Sequence, residues 1–465
     1  MRNRLVILAL ATASLAAYAG ATITILNGDP DGQGFNDPTP VDPVGGNPGL
    51  TLGQQRLNAF QAAADKWGAS LNSTVPIRVL ATFESLSCTE SSAALGFAGP
   101  AAYFSDFTNA PRTGVWFSKA QAGALAGQDM DPSQPDIRAK FNVDLGKPGC
   151  FTGTSFYLGL DANHGDNVDL VTILTHEFAH GLGFQTSTDG LTGAQAGGLP
   201  SAWDFFLLDT TTGKTWDQMT NTERSASALK AGKLVWNGSN VNKAASSVLK
   251  LGTPYLTVTQ PNSVAGSYAI GLATFGPPLA DPPVTGALAT FVDTSAGQAL
   301  ACDPLSPDNA AAVAGNIALV DRGTCTFVLK TLNLQAAGAI GVIVADNVAG
   351  PPQALSGSDP AIQIPAVRIT QANGVSLKAA LAAAGTGSVM AALGVDPAQL
   401  QGADHDGNVL MYVADPFLSV VSVVHFDTSA FPNQLMEPFA ANDLTHEVTP
   451  PFDLTLMLLR DIGWP

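Results

Sequence analysis

The sequence predicts an α+β fold that is interrupted by a separate α/β unit. Residues 167–183 carry apolar side chains on nearly every helical face, which indicates a buried helix. Residues 75–86 alternate between apolar and polar side chains, as a strand does. Over 251–397, apolar strands alternate with helices, a pattern that is typical of a small α/β sheet domain.

The other elements follow from the same periodicities. An amphipathic helix is predicted over 52–71, and residues 153–161 form a second strand candidate, whose edge is a possible site for extended peptides. Further strands are predicted at 315–323, 340–347, 364–370 and 407–415, and further helices at 327–339, 371–385 and 453–464.

The buried helix over 167–183 has two candidate residues for each of its ends. Asn167 or Asp169 can cap its start, because both side chains accept hydrogen bonds from the first backbone amides. Gly181 or Gly183 can end it, because glycine readily adopts the left-handed conformation that follows a helix.

The N-terminus has the features of a secretory signal peptide over residues 1–19. Two arginines precede a short apolar run over 5–17, and the small residues AYA end the segment. The run is shorter than the roughly 20 residues that a membrane helix needs. A membrane anchor in this position is the alternative interpretation, and no later segment has the length of a membrane helix.

The charge of the chain argues against nucleic acid as a partner. The formal net charge is −17, and loss of the two arginines in residues 1–19 makes the chain more negative. An acidic surface repels phosphate backbones, and no basic run compensates for it. We therefore expect no nucleic-acid partner, and no membrane partner once the signal peptide is removed.

The stretch THEFAHGLGF at 175–184 predicts a metal site. His176 and His180 lie four residues apart on one helix face, about 6 Å apart along the axis, so both imidazoles can reach one zinc ion. Glu177 projects beside that position, where it can act as a general base on water. Two incidental histidines on a helix are the alternative. A purely structural zinc site is disfavoured, because it would need a fourth protein ligand.

A third protein ligand is missing from this stretch. The pattern H-E-x-x-H-x-x-G-x-x-H has its glycine at Gly183, but Thr186 occupies the position of the last histidine. A glutamate from a following helix is disfavoured, because the chain has only six glutamates and no suitable helix soon after Gly183. Three downstream histidines are left, namely His405, His425 and His446.

The stretch HFDTSAFPNQLMEP begins at His425, and Met436 follows eleven residues later. It resembles the third histidine and methionine turn of leishmanolysin-like secreted metzincins, in which an insertion separates the helix from this histidine. The resemblance implies that His425 is the third zinc ligand and that Met436 packs beneath the metal. His405 lies in a sequence typical of a tight turn, and His446 has the character of a structural residue.

The stretches GNIALVDRGTCTFVLKTLNLQAAGAIGVIVADN and IPAVRIT, within 251–397, resemble the protease-associated (PA) domain. The resemblance implies substrate docking or control of access, and a rigid spacer is the alternative. A folded insert with neighbouring termini would bring His180 and His425 together at little cost, since loop-closure entropy grows only logarithmically with length.

Together these resemblances imply a zincin or metzincin-like catalytic domain, with a twisted sheet and an active-site helix, that is interrupted by a PA domain. The predicted domains are the signal peptide (1–19), the first part of the catalytic domain (20–250), the PA insert (251–397) and the rest of the catalytic domain (398–465).

Four cysteines and no C-x-x-C pair indicate two disulfides in an exported chain rather than a cysteine zinc site. Three pairings are possible. We expect Cys88 to pair with Cys150 and Cys302 with Cys325, because each bridge then lies within one predicted domain. The PA resemblance also implies the second bridge.

The sequence thus predicts a secreted zinc-dependent endopeptidase that acts on proteins or peptides with one catalytic zinc ion. The periplasm is an alternative location to the extracellular space. The alternative function is a secreted protein-binding module whose zinc site is not catalytic. Asp404, Asp406 and Asn408 suggest a calcium loop, but the later glycine and glutamate of an EF-hand are missing, which favours a simple turn.

Overall fold

The computed structural model describes residues 20–465 except 296, 386, 415 and 442. The predicted signal peptide lies outside the described residues. The chain forms two compact units. The first extends through Phe184 and takes in Thr445–Val448 and Ile462–Pro465, and the second comprises Gln185–Leu444 and Thr449–Asp461. No helix among the described residues is long and apolar enough to cross a membrane.

The first unit is built on a four-stranded sheet with the order β1-β2-β8-β5. Strands β1, β2 and β8 are parallel, and β5 is an antiparallel edge strand. Its strands are β1 Ile23–Asn27, β2 Ile77–Glu84, β3 Cys88–Thr89, β4 Ser92–Ala93, β5 Gly96–Pro100, β6 Tyr103–Phe104, β7 Phe117–Ser118, β8 Ile137–Asn142, β9 Phe156–Tyr157 and β10 Val168–Asp169, and its α-helices are α1 Leu52–Ser70, α2 Lys119–Ala126 and α3 Leu170–Leu182.

Aromatic side chains fill the space between the sheet and the helices α1 and α3. The ring of Phe60 in α1 lies 5.0 Å from that of Phe141 in β8 and 6.0 Å from that of Phe178 in α3, and all three are fully buried. Edge contacts of this kind stabilise beyond the burial of apolar area. The two predicted helices over 52–71 and 167–183 are confirmed as α1 and α3.

The strand candidate over 153–161 is much shorter than the sequence predicted. Only Phe156–Tyr157 forms a strand, β9, and it pairs with the two residues of β10 rather than with the four-stranded sheet. Glycines at positions 153 and 159 border this segment, and glycine weakens strands. The exposed edge of the main sheet near α3 is β5, which the sequence did not indicate.

The second unit contains two sheets, a four-stranded one with the order β12-β11-β13-β22 and an eight-stranded one with the order β15-β14-β21-β17-β18-β19-β20-β16. Its strands are β11 Leu207–Asp209, β12 Lys214–Thr215, β13 Leu234–Trp236, β14 Leu251–Gln260, β15 Gly266–Tyr268, β16 Gly271–Leu272, β17 Val284–Ala289, β18 Ile317–Asp321, β19 Gly341–Ala345, β20 Ala366–Ile369, β21 Met390–Leu400 and β22 Val409–Leu410, and its α-helices are α4 Asn221–Ser227, α5 Ser239–Val248, α6 Pro307–Val313, α7 Phe327–Ala336, α8 Gln371–Ala384 and α9 Thr455–Asp461.

The eight-stranded sheet confirms the α/β character that the sequence predicted. Strands β17, β18, β19 and β20 are parallel, and every residue of β19 is buried because apolar clusters cover both faces of the sheet. Both disulfides have the predicted pairing, Cys88 with Cys150 in the first unit and Cys302 with Cys325 in the second.

Ile343 lies fully buried in β19, within one of these clusters. We expect Ile343→Ala to lower the free energy of unfolding by about 2–5 kcal/mol, because it removes buried apolar contacts and leaves a cavity. Chemical denaturation measures the effect. The matched control is Val375→Ala on the exposed face of α8, which we expect to change it by less than about 0.5 kcal/mol. Equal effects of the two substitutions would contradict this assignment of the core.

Candidate metal centre

Helix α3, which carries His176, Glu177 and His180, begins at a side-chain cap. Of the two candidate caps, Asp169 is the one used: its Oδ1 accepts from the amide of Val171 at 3.1 Å. Its Oδ2 accepts from the hydroxyl of Thr172 at 3.0 Å. The negative charge also suits the positive end of the helix dipole.

The helix ends at Gly183, the second of the two candidate glycines. Gly183 has φ +119°, where a side chain would strain the backbone, and its amide bonds to the carbonyls of Ala179 and His180. The turn at Gly183 brings the carbonyl of Phe184 to 2.8 Å from Nδ1 of His180. Gly183 therefore ends the helix, and the turn that it makes places the carbonyl of Phe184 beside the ring of His180.

Indole and hydroxyl groups fix the helix along its length. Trp67 in α1 donates from Nε1 to the carbonyl of Thr175 at 2.9 Å. At the C-terminal end, the carbonyl of Leu182 accepts from Nε1 of Trp464 at 2.8 Å and from the hydroxyl of Ser118 at 3.0 Å. The two bonds to Leu182 satisfy a carbonyl group that has no partner within the helix.

His425 lies in a backbone segment that is bonded on two sides. The amide of Tyr412 donates to the carbonyl of His425 at 2.9 Å, and the amide of Phe426 donates to the carbonyl of Met436 at 2.8 Å. Nδ1 of His425 lies 2.8 Å from the carbonyl of Val421. Like His180, His425 is buried, and its Nδ1 is paired with a backbone carbonyl.

His176, His180 and His425 form a group that could hold a metal ion. Each offers one ring nitrogen, and these three nitrogens lie within 4.8 Å of one another. Within the described part of the chain, no other group of three or more His, Cys, Asp or Glu side chains meets this criterion. The carbonyl partners at Nδ1 of His180 and His425 favour the tautomer whose lone pair is on Nε2, as metal ligation requires.

The surroundings of this group disfavour charge. Burial lowers the pKa of His180 to about 3, and repulsion from His176 acts in the same direction. Burial raises the pKa of Glu177 to about 8, although a hydrogen bond from the backbone of Ala98 in β5 opposes the shift. An imidazole must be neutral to bind a metal, so the environment of His180 suits that role.

The other two histidine candidates and Thr186 are not part of the group formed by His176, His180 and His425. His405 is 81% exposed in its side chain. Nε2 of His446 lies 2.5 Å from Oδ2 of Asp169. The hydroxyl of Thr186 donates to the buried carboxylate of Asp204 at 2.6 Å, which gives this side chain a structural partner.

Met436 lies in a tight turn and is fully buried. The amide of Glu437 bonds to the carbonyl of Gln434, and Oε1 of Glu437 accepts from the amide of Gln434 at 2.8 Å. Asp453 accepts from the amide of Leu435 at 2.7 Å. The turn before Pro438 is therefore held by two carboxyl groups, a feature that the sequence did not predict.

The segment Asp404–Asn408 forms a hydrogen-bonded turn. Oδ1 of Asp404 accepts from the amides of Asp406 and Asn408 at 3.0 and 2.8 Å. These contacts are those of an Asx turn, as the composition favoured.

Sequence reasoning missed several groups that build the centre, namely Ala98, Trp67, Val421 and Trp464. Ala98 and Val421 act through their backbone, which carries no residue-specific signal. The two tryptophans had a signal, because a buried indole usually needs an acceptor for its N–H group. The sequence does not show which acceptor that is.

Residues 284–377 match the family model of the PA domain, so this part of the second unit is a PA domain. The match covers less than half of the chain and does not identify the rest. Vacuolar-sorting receptor 2 of Arabidopsis thaliana is 33% identical over 138 residues, which are 27% of this chain and 22% of the receptor.

Solved structures give weaker likenesses. BSAP, a zinc aminopeptidase from Bacillus subtilis, has 21% identity and a TM-score of 0.23, over 34% of this chain and 36% of that chain. The aminopeptidase from Aneurinibacillus sp. strain AM-1 has 21% identity and a TM-score of 0.23, over 34% and 42%. The subtilisin-like protease Apa1 from Pseudoalteromonas sp. AS-11 has 20% identity and a TM-score of 0.24, over 33% and 34%.

The chain spans less than half of each of these relatives, and TM-scores this low carry no argument about the catalytic part. None of the proteins named above is a metzincin, so the metzincin type stays a prediction. The same is true of the predicted domain boundaries.

Burial raises the pKa of Glu437 to about 9, and the acidic groups of Asp427, Asp443 and Asp453 add to the shift, while the amide of Gln434 opposes it. An unfolded glutamate ionises near its ordinary value of 4.5. The contribution of Glu437 to stability is therefore fully present below pH 4.5, and is lost as the pH rises towards 9.

We therefore expect Glu437→Gln, which keeps the acceptor for the Gln434 amide, to raise the free energy of unfolding at pH 8 by at least about 1 kcal/mol, since one pKa unit corresponds to about 1.4 kcal/mol. At pH 4.5 the variant and the original chain should differ little. Denaturant titrations at both pH values measure the difference. A difference that is equal at both values would contradict the prediction.

Proposed function

We propose that this protein is a secreted zinc-dependent endopeptidase in which His176, His180 and His425 bind one zinc ion. The observation that supports this most strongly is the approach of the three ring nitrogens to within 4.8 Å, next to the buried carboxyl of Glu177. Three histidines are a typical protein ligand set for a catalytic zinc, which keeps one position for water or substrate.

The residues fit such an ion in chemistry as well as in position. His180 and His425 each have Nδ1 bonded to a backbone carbonyl, the outer-shell arrangement usual for zinc-binding histidines. Met436 is fully buried, and its carbonyl accepts a hydrogen bond from the amide of Phe426, the residue after His425, which is compatible with a packing role beneath the metal.

In the proposed reaction, bound zinc would lower the pKa of a water molecule to about 7 and polarise the scissile carbonyl. Glu177 takes the proton from the attacking water and then gives it to the nitrogen of the leaving amine. The backbone of Ala98 hydrogen-bonds to Glu177, so the edge strand β5 orients the proposed base.

Strand β5 is also the proposed site for the backbone of an extended substrate. Leu95 and Ala101, which flank the strand on the β8 side, bond to Asn142 and Asp136, so the alternating pattern turns the peptide groups of Gly96 and Ala98 away from β8. The amide of Ala98 is used by Glu177, so the proposed substrate contacts are the amide of Gly96 and the carbonyls of Gly96 and Ala98. Edge strands commonly bind extended peptides through such groups. This proposal replaces the earlier candidate edge at 153–161.

A protein-binding module with a non-catalytic zinc site is the second candidate. The observation that favours it is the partial identity to a protein named as a sorting receptor, together with the PA domain. Location outside the cytoplasm is part of both proposals, and the two disulfides are consistent with it.

The variant Glu177→Gln distinguishes the two candidates. We expect it to lower kcat by about 10²- to 10⁴-fold, because general-base catalysis typically contributes that much, while zinc content stays the same. The substrate is an internally quenched peptide with a blocked N-terminus, so that cleavage reports an endopeptidase and not an aminopeptidase. No cleavage by the original chain with full zinc content would favour the binding module.

Zinc content tests the third ligand. We expect His425→Ala to weaken zinc binding by more than the roughly 10- to 100-fold that loss of an outer-shell partner costs. His405→Ala is the matched control, because this exposed histidine should not affect binding. Metal analysis after dialysis against a weak chelator gives the result. Loss of zinc in His405→Ala but not in His425→Ala would contradict the assignment.

A further inference from the structure

His446 contacts the residue that begins helix α3. Its Nε2 lies 2.5 Å from Oδ2 of Asp169, although the two residues are 277 positions apart. The side chains are 17% and 5% exposed, so the contact is shielded from solvent. The segment Thr445–Val448, which contains His446, belongs to the first unit, whereas the residues on either side of it belong to the second.

Both carboxylate oxygens of Asp169 accept hydrogen bonds in this arrangement. Its two carboxylate oxygens accept from the amide of Val171, the hydroxyl of Thr172 and the ring of His446. Three hydrogen bonds to its two oxygens restrict the orientation of the carboxylate. Because an α-helix is stiff over two or three turns, the direction of its first turn also sets the direction of later side chains.

We propose that His446 is a positioning residue that acts through Asp169 to orient His176 and His180 for metal binding. This inference rests on the zinc ligands of the proposed function. It differs from a purely structural role, in which His446 would only attach the segment Thr445–Val448 to the first unit.

The neighbouring residue offers a control for that structural role. Glu447, in the same four-residue segment, forms an ion pair with Lys66 of α1 at 2.8 Å, and this pair is separate from the hydrogen bond between His446 and Asp169. Lys66→Met therefore weakens the attachment of the segment and leaves the cap of α3 intact. His446→Gln is the conservative variant, because its amide can donate to Asp169.

The experiment measures the zinc dissociation constant by competition with a chelator, together with kcat, KM and the thermal unfolding midpoint. We expect His446→Ala to weaken zinc binding about tenfold, the lower end of the range for partners that orient metal ligands. His446→Gln should restore most of the affinity. Lys66→Met should lower only the unfolding midpoint. In an Asp169→Asn background, His446→Ala should weaken zinc binding much less than it does alone.

Equal loss of affinity in Lys66→Met and His446→Ala would overturn the inference, and so would full additivity of the Asp169 and His446 substitutions. If the original chain binds zinc and Glu177→Gln is inactive, but His446→Ala changes only the unfolding midpoint, the positioning role fails and the proposed function stands. If the original chain binds no zinc, both fail together.

Discussion

The fixed position of helix α3 is the constraint on which the candidate metal centre depends. Side chains bond to the helix at its start, its middle and its end, through Asp169, Trp67 and Trp464. The bonds at the two ends of the helix pair backbone groups that have no partner within it, and a buried backbone group left unpaired costs about 1–3 kcal/mol. The residues Ile462–Pro465 belong to the first unit through such bonds, and the helix that carries His176 and His180 is held at both ends.

The same kind of hydrogen bond, from Nδ1 to a backbone carbonyl, orients His180 and His425 in two different backbone contexts. Nδ1 of each ring bonds a carbonyl four residues away, that of Phe184 after His180 and that of Val421 before His425. A glycine allows the first turn without strain. The second turn, from Val421 to His425, follows Val420 and contains Val423, which have φ of +60° and +68°. Such strain costs on the order of 1–3 kcal/mol per residue and persists only where the surroundings enforce it.

Local patterns in the sequence were enough to predict α3, its pair of alternative caps, and the strands and helices of the PA domain, because each signal lies within one element. The edge strand β5 could not be predicted, since Gly96, Gly99 and Pro100 give it poor strand propensity, and pairing with β8 overrides that. The contact of His446 with Asp169 was also out of reach. Neither residue carries a local signal for a partner 277 positions away.

The PA domain separates parts of one sheet in sequence without separating them in space. Strands β14 and β21, which flank the matched residues 284–377, pair antiparallel from Leu251 and Leu400 onwards, so the chain leaves and re-enters at neighbouring points. Strand β13 before it and β22 after it are partners in the small sheet. The segment that follows β22 and contains His425 is therefore positioned by that sheet and not by the length of the insert. A folded insert with adjacent ends closes the loop by itself. Its size therefore adds little to the entropic cost of placing His425.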